Sequence, residues 1–285
     1  MLTRRCTQRQ FLLVPSDVVN QIVLYCLAVA ATRYKITVHA FCWLSNHWHG
    51  VLSDPHGNRP EFCRWLHEFT AKCINAHRGR WENMWASEQY SAVELLDGAS
   101  VLDKIGYVLA NPVEAFLVAC SHLWPGAISR LKDFGKTMVI ARPDGFFRDE
   151  GEMPAYAELT IEKPAQFAEL ADDEWVELVR QEVKGREEKA REDARKNGRG
   201  FLGVKKVLAQ DWRDCPATHE PRREISPTVA AGNKWLRIER LQHNGEFRVD
   251  HEEARLRFIA GDRRVEFPRG TYWMTKYAGA VCSPG

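Results

Sequence analysis

Two histidines that lie two residues apart, His47 and His49, are the residues of this 285-residue sequence best placed to do chemistry. The flanking segments 36–43 and 50–52 have the apolar composition of β-strands. Since alternate side chains of a strand share a face, we expect both histidines on one face and Trp48 on the other. Two imidazoles on one face of a strand form a ready pair of metal ligands. A pair of polar residues on a half-solvated strand has the same spacing, so other residues must decide between the two interpretations.

A tyrosine and an asparagine form the second chemically interesting group. Tyr107 and Asn111 are four residues apart in a segment, about 100–110, that the apolar spacing predicts to be helical. Residues four apart lie on one helical face, about one turn from each other. By spacing alone Tyr107 fits a core tyrosine better than a reactive one. Asn111, followed by Pro112, fits a helix N-cap with proline at the first helical position, or a kink.

Strands and helices alternate around these residues. The pattern predicts strands over 3–14, 36–43, 47–53 and 81–96, and helices over 16–34, 60–77 and 100–110. Ser16 is the expected N-cap of the first helix, and a turn at Ser45 and Asn46 joins the two central strands. The order β-α-β-β-α-β-α predicts an α+β fold: a ferredoxin-like split βαβ antiparallel sheet with the helices on one face.

These motifs together resemble a known family. His47-Trp48-His49 resembles the His-hydrophobic-His motif of HUH endonucleases, and the segment from Tyr107 to Ala115 is similar to the tyrosine helix of single-tyrosine HUH transposases. The REP-associated tyrosine transposases are the branch that the chain resembles most. Three further features are also typical of that branch: Thr3-Arg4-Arg5, Leu44-Ser45-Asn46 and Trp124. The resemblance covers about residues 1–130.

The resemblance implies a DNA transposase or nickase that cleaves and rejoins single-stranded DNA near small hairpins. Its catalytic residues would be Tyr107, His47 and His49, and a divalent cation, Mg²⁺ or Mn²⁺, would be held by His47, His49 and Asn111. Attack by Tyr107 would leave a covalent 5′-phosphotyrosine and a free 3′-hydroxyl. The family also implies a bacterial cytoplasmic protein, associated with the nucleoid, that acts as a monomer or homodimer.

Basic and aromatic side chains supply candidate DNA contacts. Arg4, Arg5 and Arg9 on the first strand are expected to hold phosphates. Tryptophans can stack on unpaired bases, although core packing is the competing role for most of them. The tryptophans concerned are Trp43, Trp48, Trp65, Trp81 and Trp85.

Other protein classes fit the sequence less well. A histidine-triad hydrolase would need a third alternating histidine, but position 51 is Val51. A structural zinc module would need a fourth close ligand, and although Cys42 is near, no second ligand pair accompanies it. The stronger alternative is a domesticated DNA-binding regulator or a processing nuclease that keeps the same fold.

The composition is that of an ordinary globular protein, with 45% hydrophobic and 27% charged residues. We expect a cytoplasmic protein, because no run of about 18 apolar residues predicts a membrane span and no secretory apolar segment follows the basic start. The formal net charge is +2, so a DNA-binding surface must come from local clusters. Eight cysteines without CxxC pairs predict reduced thiols rather than a disulfide framework.

Residues 131–285 lie outside the resemblance and are predicted to form a C-terminal extension. It would hold a charged helix over about 172–199 and a β-rich end over 234–278. The charged helix is either a solvated helix with opposite-charge pairs or the start of a basic arm. The basic residues that continue such an arm are Lys205, Lys206, Arg213, Arg222 and Arg223.

Overall fold

The strand that carries His47 and His49 lies inside a four-stranded antiparallel sheet. The computed structural model describes residues 1–148, 150–218 and 226–283, so Arg222 and Arg223 lie outside the described residues. The strands of this sheet are Leu2–Arg5 (β1), Thr37–Leu44 (β2), His47–Ser53 (β3) and Ser91–Ala92 (β4). Their order across the sheet is β2-β3-β1-β4.

The sheet belongs to the first of two compact units, Met1–Thr228. The helices of this unit are Asp17–Tyr34 (α1), Arg59–Arg78 (α2), Gly98–Glu114 (α3), Asp172–Lys196 (α4) and Val204–Leu208 (α5). Its other strands are Glu94–Leu95 (β5), Thr137–Ala141 (β6) and Tyr156–Thr160 (β7). The Ser16 hydroxyl accepts a hydrogen bond from the Val19 amide at 3.2 Å and caps α1, as predicted. The α+β class and the first three helices are thereby confirmed.

Helices cover both faces of the sheet, so the prediction of helices on one face was wrong. α1 and α2 pack on the face formed by Phe41, Trp43 and Trp48. α3 packs on the opposite face, which includes Cys42 and Leu44. β2 is accordingly buried at every position but its first. A nearly continuous apolar strand indicates burial on both faces, but it does not tell which helix covers which face.

The first and fourth strands are shorter than predicted. β1 ends at Arg5, because the chain turns away through Gln8 and Arg9, whose φ angles are 49° and 58°. The stretch 81–96, predicted as the fourth strand, forms two short strands, Ser91–Ala92 beside β1 and Glu94–Leu95. In these two stretches the alternation of polar and apolar residues therefore comes from partly buried loops and short strands, not from one continuous strand.

α4 is the charged helix expected over about 172–199, and it packs along α3. Its buried side chains recur at helical spacing: Trp175, Val179, Val183, Ala190 and Ala194. Opposite charges four residues apart line its exposed side, as in Lys184–Glu188 and Lys196–Glu192. Over these residues the structure agrees with the solvated helix rather than the basic arm. The first compact unit extends past residue 130, where the sequence predicted a domain boundary. That residues 1–130 carry the function by themselves stays a prediction.

One arginine of α4 ties it to α3. The Arg186 guanidinium donates to Glu182 Oε1 at 2.7 Å, to Glu114 Oε1 at 3.0 Å and to Asp103 Oδ1. Asp103 precedes Tyr107 by one turn of α3, and Glu114 lies near the end of that helix. Arg186 therefore helps to fix the helix that carries the predicted nucleophile.

Replacing Arg186 with methionine should lower the free energy of unfolding by about 2 kcal/mol, because three carboxylates then face one another without a cation. The side chain is 21% exposed, which places the effect below that of a fully buried pair. Urea unfolding measures the change. Lys184→Met is the matched control, since Lys184 is 71% exposed and pairs only at 3.9 Å. Equal stability of the two variants would contradict the role given to Arg186.

The second unit, Val229–Gly285, is mainly helical. Its elements are Val229–Ala230 (β8), Lys234–Ile259 (α6), Glu266–Phe267 (β9), Trp273–Ala278 (α7) and Val281–Cys282 (β10). The prediction of a β-rich end was therefore wrong. Short alternating runs such as 235–238 resemble strands, but the Asn233 side chain accepts from the Trp235 amide and starts a long helix. An Arg255–Glu252 ion pair three residues apart supports that helix further along.

Candidate active site

Strand pairing directs both histidines to the sheet face that α3 covers. Residues directly opposite each other in an antiparallel pair share a face. His49 lies opposite Thr3 of β1 and Cys42 of β2, and His47 lies opposite Arg5 of β1. The predicted alternation of the His-x-His strand is therefore present, and β1 contributes side chains to the same face.

Three of the predicted site residues meet on this face. The ring centroids of His47 and His49 are 4.8 Å apart, and those of His49 and Tyr107 are 5.3 Å apart. Both pairs meet edge to face, at 85° and 72°. The Lys104 ammonium lies 5.9 Å from the Tyr107 ring centroid, on the same helix. Two segments distant in sequence thus bring a phenol, two imidazoles and a cation together.

The ring nitrogens of the two histidines have different surroundings. His49 Nδ1 lies 2.7 Å from Thr3 Oγ1, and His47 Nδ1 lies 2.6 Å from Asn46 Oδ1. His49 Nε2 is buried and has no hydrogen-bond partner within the described part of the chain. Burial, reinforced by His47 and Arg5, holds the pKa of His49 well below its usual value. A buried neutral imidazole with an unused nitrogen has the chemistry of a metal ligand.

Asn111 lies one turn beyond Tyr107 on α3 and is 6% exposed. α3 continues through Pro112 to Glu114, so the N-cap interpretation of Asn111 was wrong. None of the described residues hydrogen-bonds to the Asn111 side-chain amide. Nor do the described residues include a metal-binding group of three or more His, Cys, Asp or Glu side chains. A third protein ligand beside the histidines would thus be of another type, such as this amide oxygen.

The three arginines predicted to bind DNA have different environments. Arg5 is exposed on the histidine face. Arg4 lies on the opposite face, where its guanidinium donates to two backbone carbonyls of segment 86–88. Arg9 donates to the carbonyl of Thr218 at 2.6 Å. Of the three arginines, Arg5 therefore lies beside the two histidines, whereas Arg4 holds a loop in place. The DNA contacts of all three arginines stay predictions.

Core packing accounts for most of the tryptophans considered as base-stacking candidates. The buried ones are Trp43, Trp48, Trp65 and Trp85, whereas Trp81 is 91% exposed. Trp48 stacks on Trp43 with ring centroids 5.0 Å apart. It also lies over Gly50, where a Cβ atom would come within 2.6 Å of the indole. The residue between the two histidines thus anchors their strand in the core.

A buried histidine that the sequence did not single out supports this anchor. Trp48 Nε1 donates to His67 Nε2 at 3.2 Å, and Trp85 Nε1 donates to the His67 carbonyl at 2.8 Å. Burial, reinforced by the charge of Arg4, lowers the pKa of His67 to about 3. His67 therefore stays neutral and accepts from Trp48, on the face away from Tyr107.

Stability should fall as the pH drops from 7 to 4.5, and His67 should account for part of that fall. The unfolded chain takes up a proton at this histidine near pH 6.5, whereas the folded chain resists it down to about pH 3. His67 then contributes a loss of about 3 kcal/mol over this interval. Urea unfolding at both pH values measures it. His67→Gln keeps an acceptor for Trp48 and should flatten the pH dependence, and an unchanged slope would contradict the assignment.

Thr3 and Asn46 contact the two histidines, a role that the sequence analysis did not assign to them. The alternation of β1 places Thr3 and Arg5 on one face, but only the strand register reveals that this is the face of His49. Asn46 belongs to the turn that joins β2 and β3, and its neighbour in sequence is the histidine that it contacts.

None of the family models, curated proteins or solved structures compared with this chain matches it. No described helix is long and apolar enough to cross a membrane. The class is thus defined by fold and site alone: an α+β protein in which a tyrosine on a helix meets one of two histidines that share a strand face.

Proposed function

We propose that the protein is a metal-assisted, single-tyrosine DNA nickase and strand transferase, of the HUH transposase type. The observation that carries the proposal is the meeting of Tyr107 with His49 on the face that also holds His47. Single-stranded or hairpin DNA is the proposed partner, and the bacterial nucleoid is the proposed location.

The sheet topology supports this class. α1 links β1 to β2, and β3 lies between them and antiparallel to both. With β4 on the far side of β1, this is the strand order of a split βαβ sheet, and we propose the ferredoxin-like HUH fold for it. α3 then covers the face opposite α1 and α2, which is where a tyrosine helix must lie to meet the strand histidines.

The donor set fits a divalent cation. His49 Nε2 is a buried nitrogen without a partner among the described residues, and His47 lies beside it on the same face. The Asn111 amide oxygen, one turn from Tyr107 on α3, would be the third ligand. A bound Mg²⁺ or Mn²⁺ would supply Lewis-acid polarisation of the phosphate.

Tyr107 is the proposed nucleophile. Its phenolic oxygen forms a bond to phosphorus while the bond from phosphorus to the 3′ oxygen breaks. The phenol proton passes to solvent, and the departing 3′ oxygen takes up a proton to become a hydroxyl. The phosphotyrosine link keeps the energy of the cleaved bond, so rejoining requires no nucleotide cofactor. Arg5, exposed on the same face, offers a guanidinium to a phosphate oxygen.

A labelled hairpin oligonucleotide with a single-stranded flank, drawn from DNA beside the gene, tests the proposal. Incubated with the protein and Mn²⁺ or Mg²⁺, it should yield a covalent protein–DNA adduct that survives denaturing electrophoresis. EDTA should prevent the adduct. Hairpin binding that persists in EDTA without any cleavage would reject the nickase and favour a DNA-binding regulator of the same fold.

A further inference from the structure

We propose that Asn46 and Thr3 are positioning residues that set the ring orientation and protonation of His47 and His49, so that each histidine turns its Nε2 lone pair to a divalent cation. The inference rests on the proposed function, because it assigns residues that serve the same site. Neither residue touches substrate or reacting atoms in this scheme. Each acts through the histidine with which it shares a hydrogen bond.

The contacts of Asn46 fix the protonation of His47. Asn46 Nδ2 donates to the Arg9 carbonyl at 3.0 Å, and a carbonyl can only accept, so the amide group cannot be turned around. Asn46 Oδ1 must then face His47 Nδ1, which lies 2.6 Å away. An amide oxygen also only accepts, so His47 Nδ1 carries the proton. In the neutral ring the lone pair is left on Nε2.

Thr3 has the corresponding role for His49: it contacts Nδ1 of the ring. Its hydroxyl lies 2.7 Å from His49 Nδ1, directly across the β1–β3 pair. A hydroxyl can donate or accept, so this contact alone leaves two tautomers. If Nδ1 accepted, His49 Nε2 would carry a hydrogen that is buried without an acceptor among the described residues. A cation on Nε2 instead requires Nδ1–H to donate to Thr3, the usual arrangement around metal-bound histidines.

Mn²⁺ binding by the full chain, measured by isothermal titration calorimetry, tests the inference without relying on cleavage. Thr3→Val and Asn46→Ala should each weaken Mn²⁺ binding by about 10- to 100-fold. Thr3→Ser keeps the hydroxyl, so it should stay within about threefold of the parent protein. Thermal unfolding in EDTA identifies any variant whose loss of affinity comes from a disturbed fold.

A second readout needs no metal. Long-range ¹H–¹⁵N spectra of the protein labelled at histidine should report the Nδ1–H tautomer for His47, and Asn46→Ala should shift it towards Nε2–H. Parent-level Mn²⁺ affinity in Thr3→Val and Asn46→Ala, with affinity lost in His49→Ala, would overturn the inference and leave the proposed function intact. A parent protein that binds no Mn²⁺ would overturn the metal site of the proposed function and the inference with it.

Discussion

Replacing Tyr107 with phenylalanine is expected to abolish covalent attachment to DNA and to reduce single-strand cleavage by about 10³-fold or more. The substitution removes one oxygen atom, the proposed nucleophile, and leaves the ring that packs against His49. The fold and the affinity for uncleaved hairpin DNA should therefore be retained. Denaturing electrophoresis measures the adduct and the cleaved strand, and a gel-shift titration measures binding.

Tyr156→Phe is the matched control for this prediction. Tyr156 lies on β7 and is 66% exposed, so the same loss of a phenolic oxygen should leave cleavage at the parent level. Cleavage that survives in Tyr107→Phe would show that the nucleophile is another group. Loss of hairpin binding together with cleavage would instead give Tyr107 a role in recognition.

Replacing His49 with alanine is expected to weaken Mn²⁺ binding by more than about 100-fold and to remove metal-dependent cleavage. The substitution deletes the buried Nε2 that has no partner among the described residues, so the cation loses a direct ligand. Calorimetry with Mn²⁺ gives the affinity, and the oligonucleotide assay gives the cleavage rate.

Two further variants make this result interpretable. His47 is less buried than His49, so His47→Ala should disturb packing less. It should still lose Mn²⁺ affinity, because it removes the other histidine ligand. His56→Ala changes an exposed histidine of a loop and should bind Mn²⁺ as the parent does. Tight Mn²⁺ binding in both His47→Ala and His49→Ala would place the cation elsewhere.

Much of the arrangement around the site follows from local sequence patterns. The alternation of His47, Trp48 and His49 predicts their opposite directions, because side chains of a strand alternate strictly. The Ser16 cap and the turn at Ser45 and Asn46 define the ends of α1 and of the central hairpin through short-range chemistry. Such signals act within a few residues, so they can be recognised from the sequence alone.

Other features of the fold and site depend on tertiary packing, which a local sequence pattern does not predict. Arg4 and Arg5 are neighbours on one strand, yet Arg4 holds segment 86–88 while Arg5 shares the face of the histidines. The partnership of Thr3 with His49 requires the strand register, which the sequence does not specify. α6 was predicted as strands because short apolar runs fit both the strand period and the helix period. The Asn233 cap and the Arg255–Glu252 pair are the features that indicate the helix.

Mass spectrometry of the protein–DNA adduct tests the central claim most directly. After nuclease and trypsin digestion, the peptide 105–130 should carry a mass increase equal to a nucleotide joined through its 5′ phosphate. This peptide contains one tyrosine, Tyr107, and fragmentation of the modified peptide distinguishes Tyr107 from Ser121 and Ser129. The account predicts the modification on Tyr107. An adduct mapped to any other peptide, or none after incubation with Mn²⁺ and hairpin DNA, would contradict it.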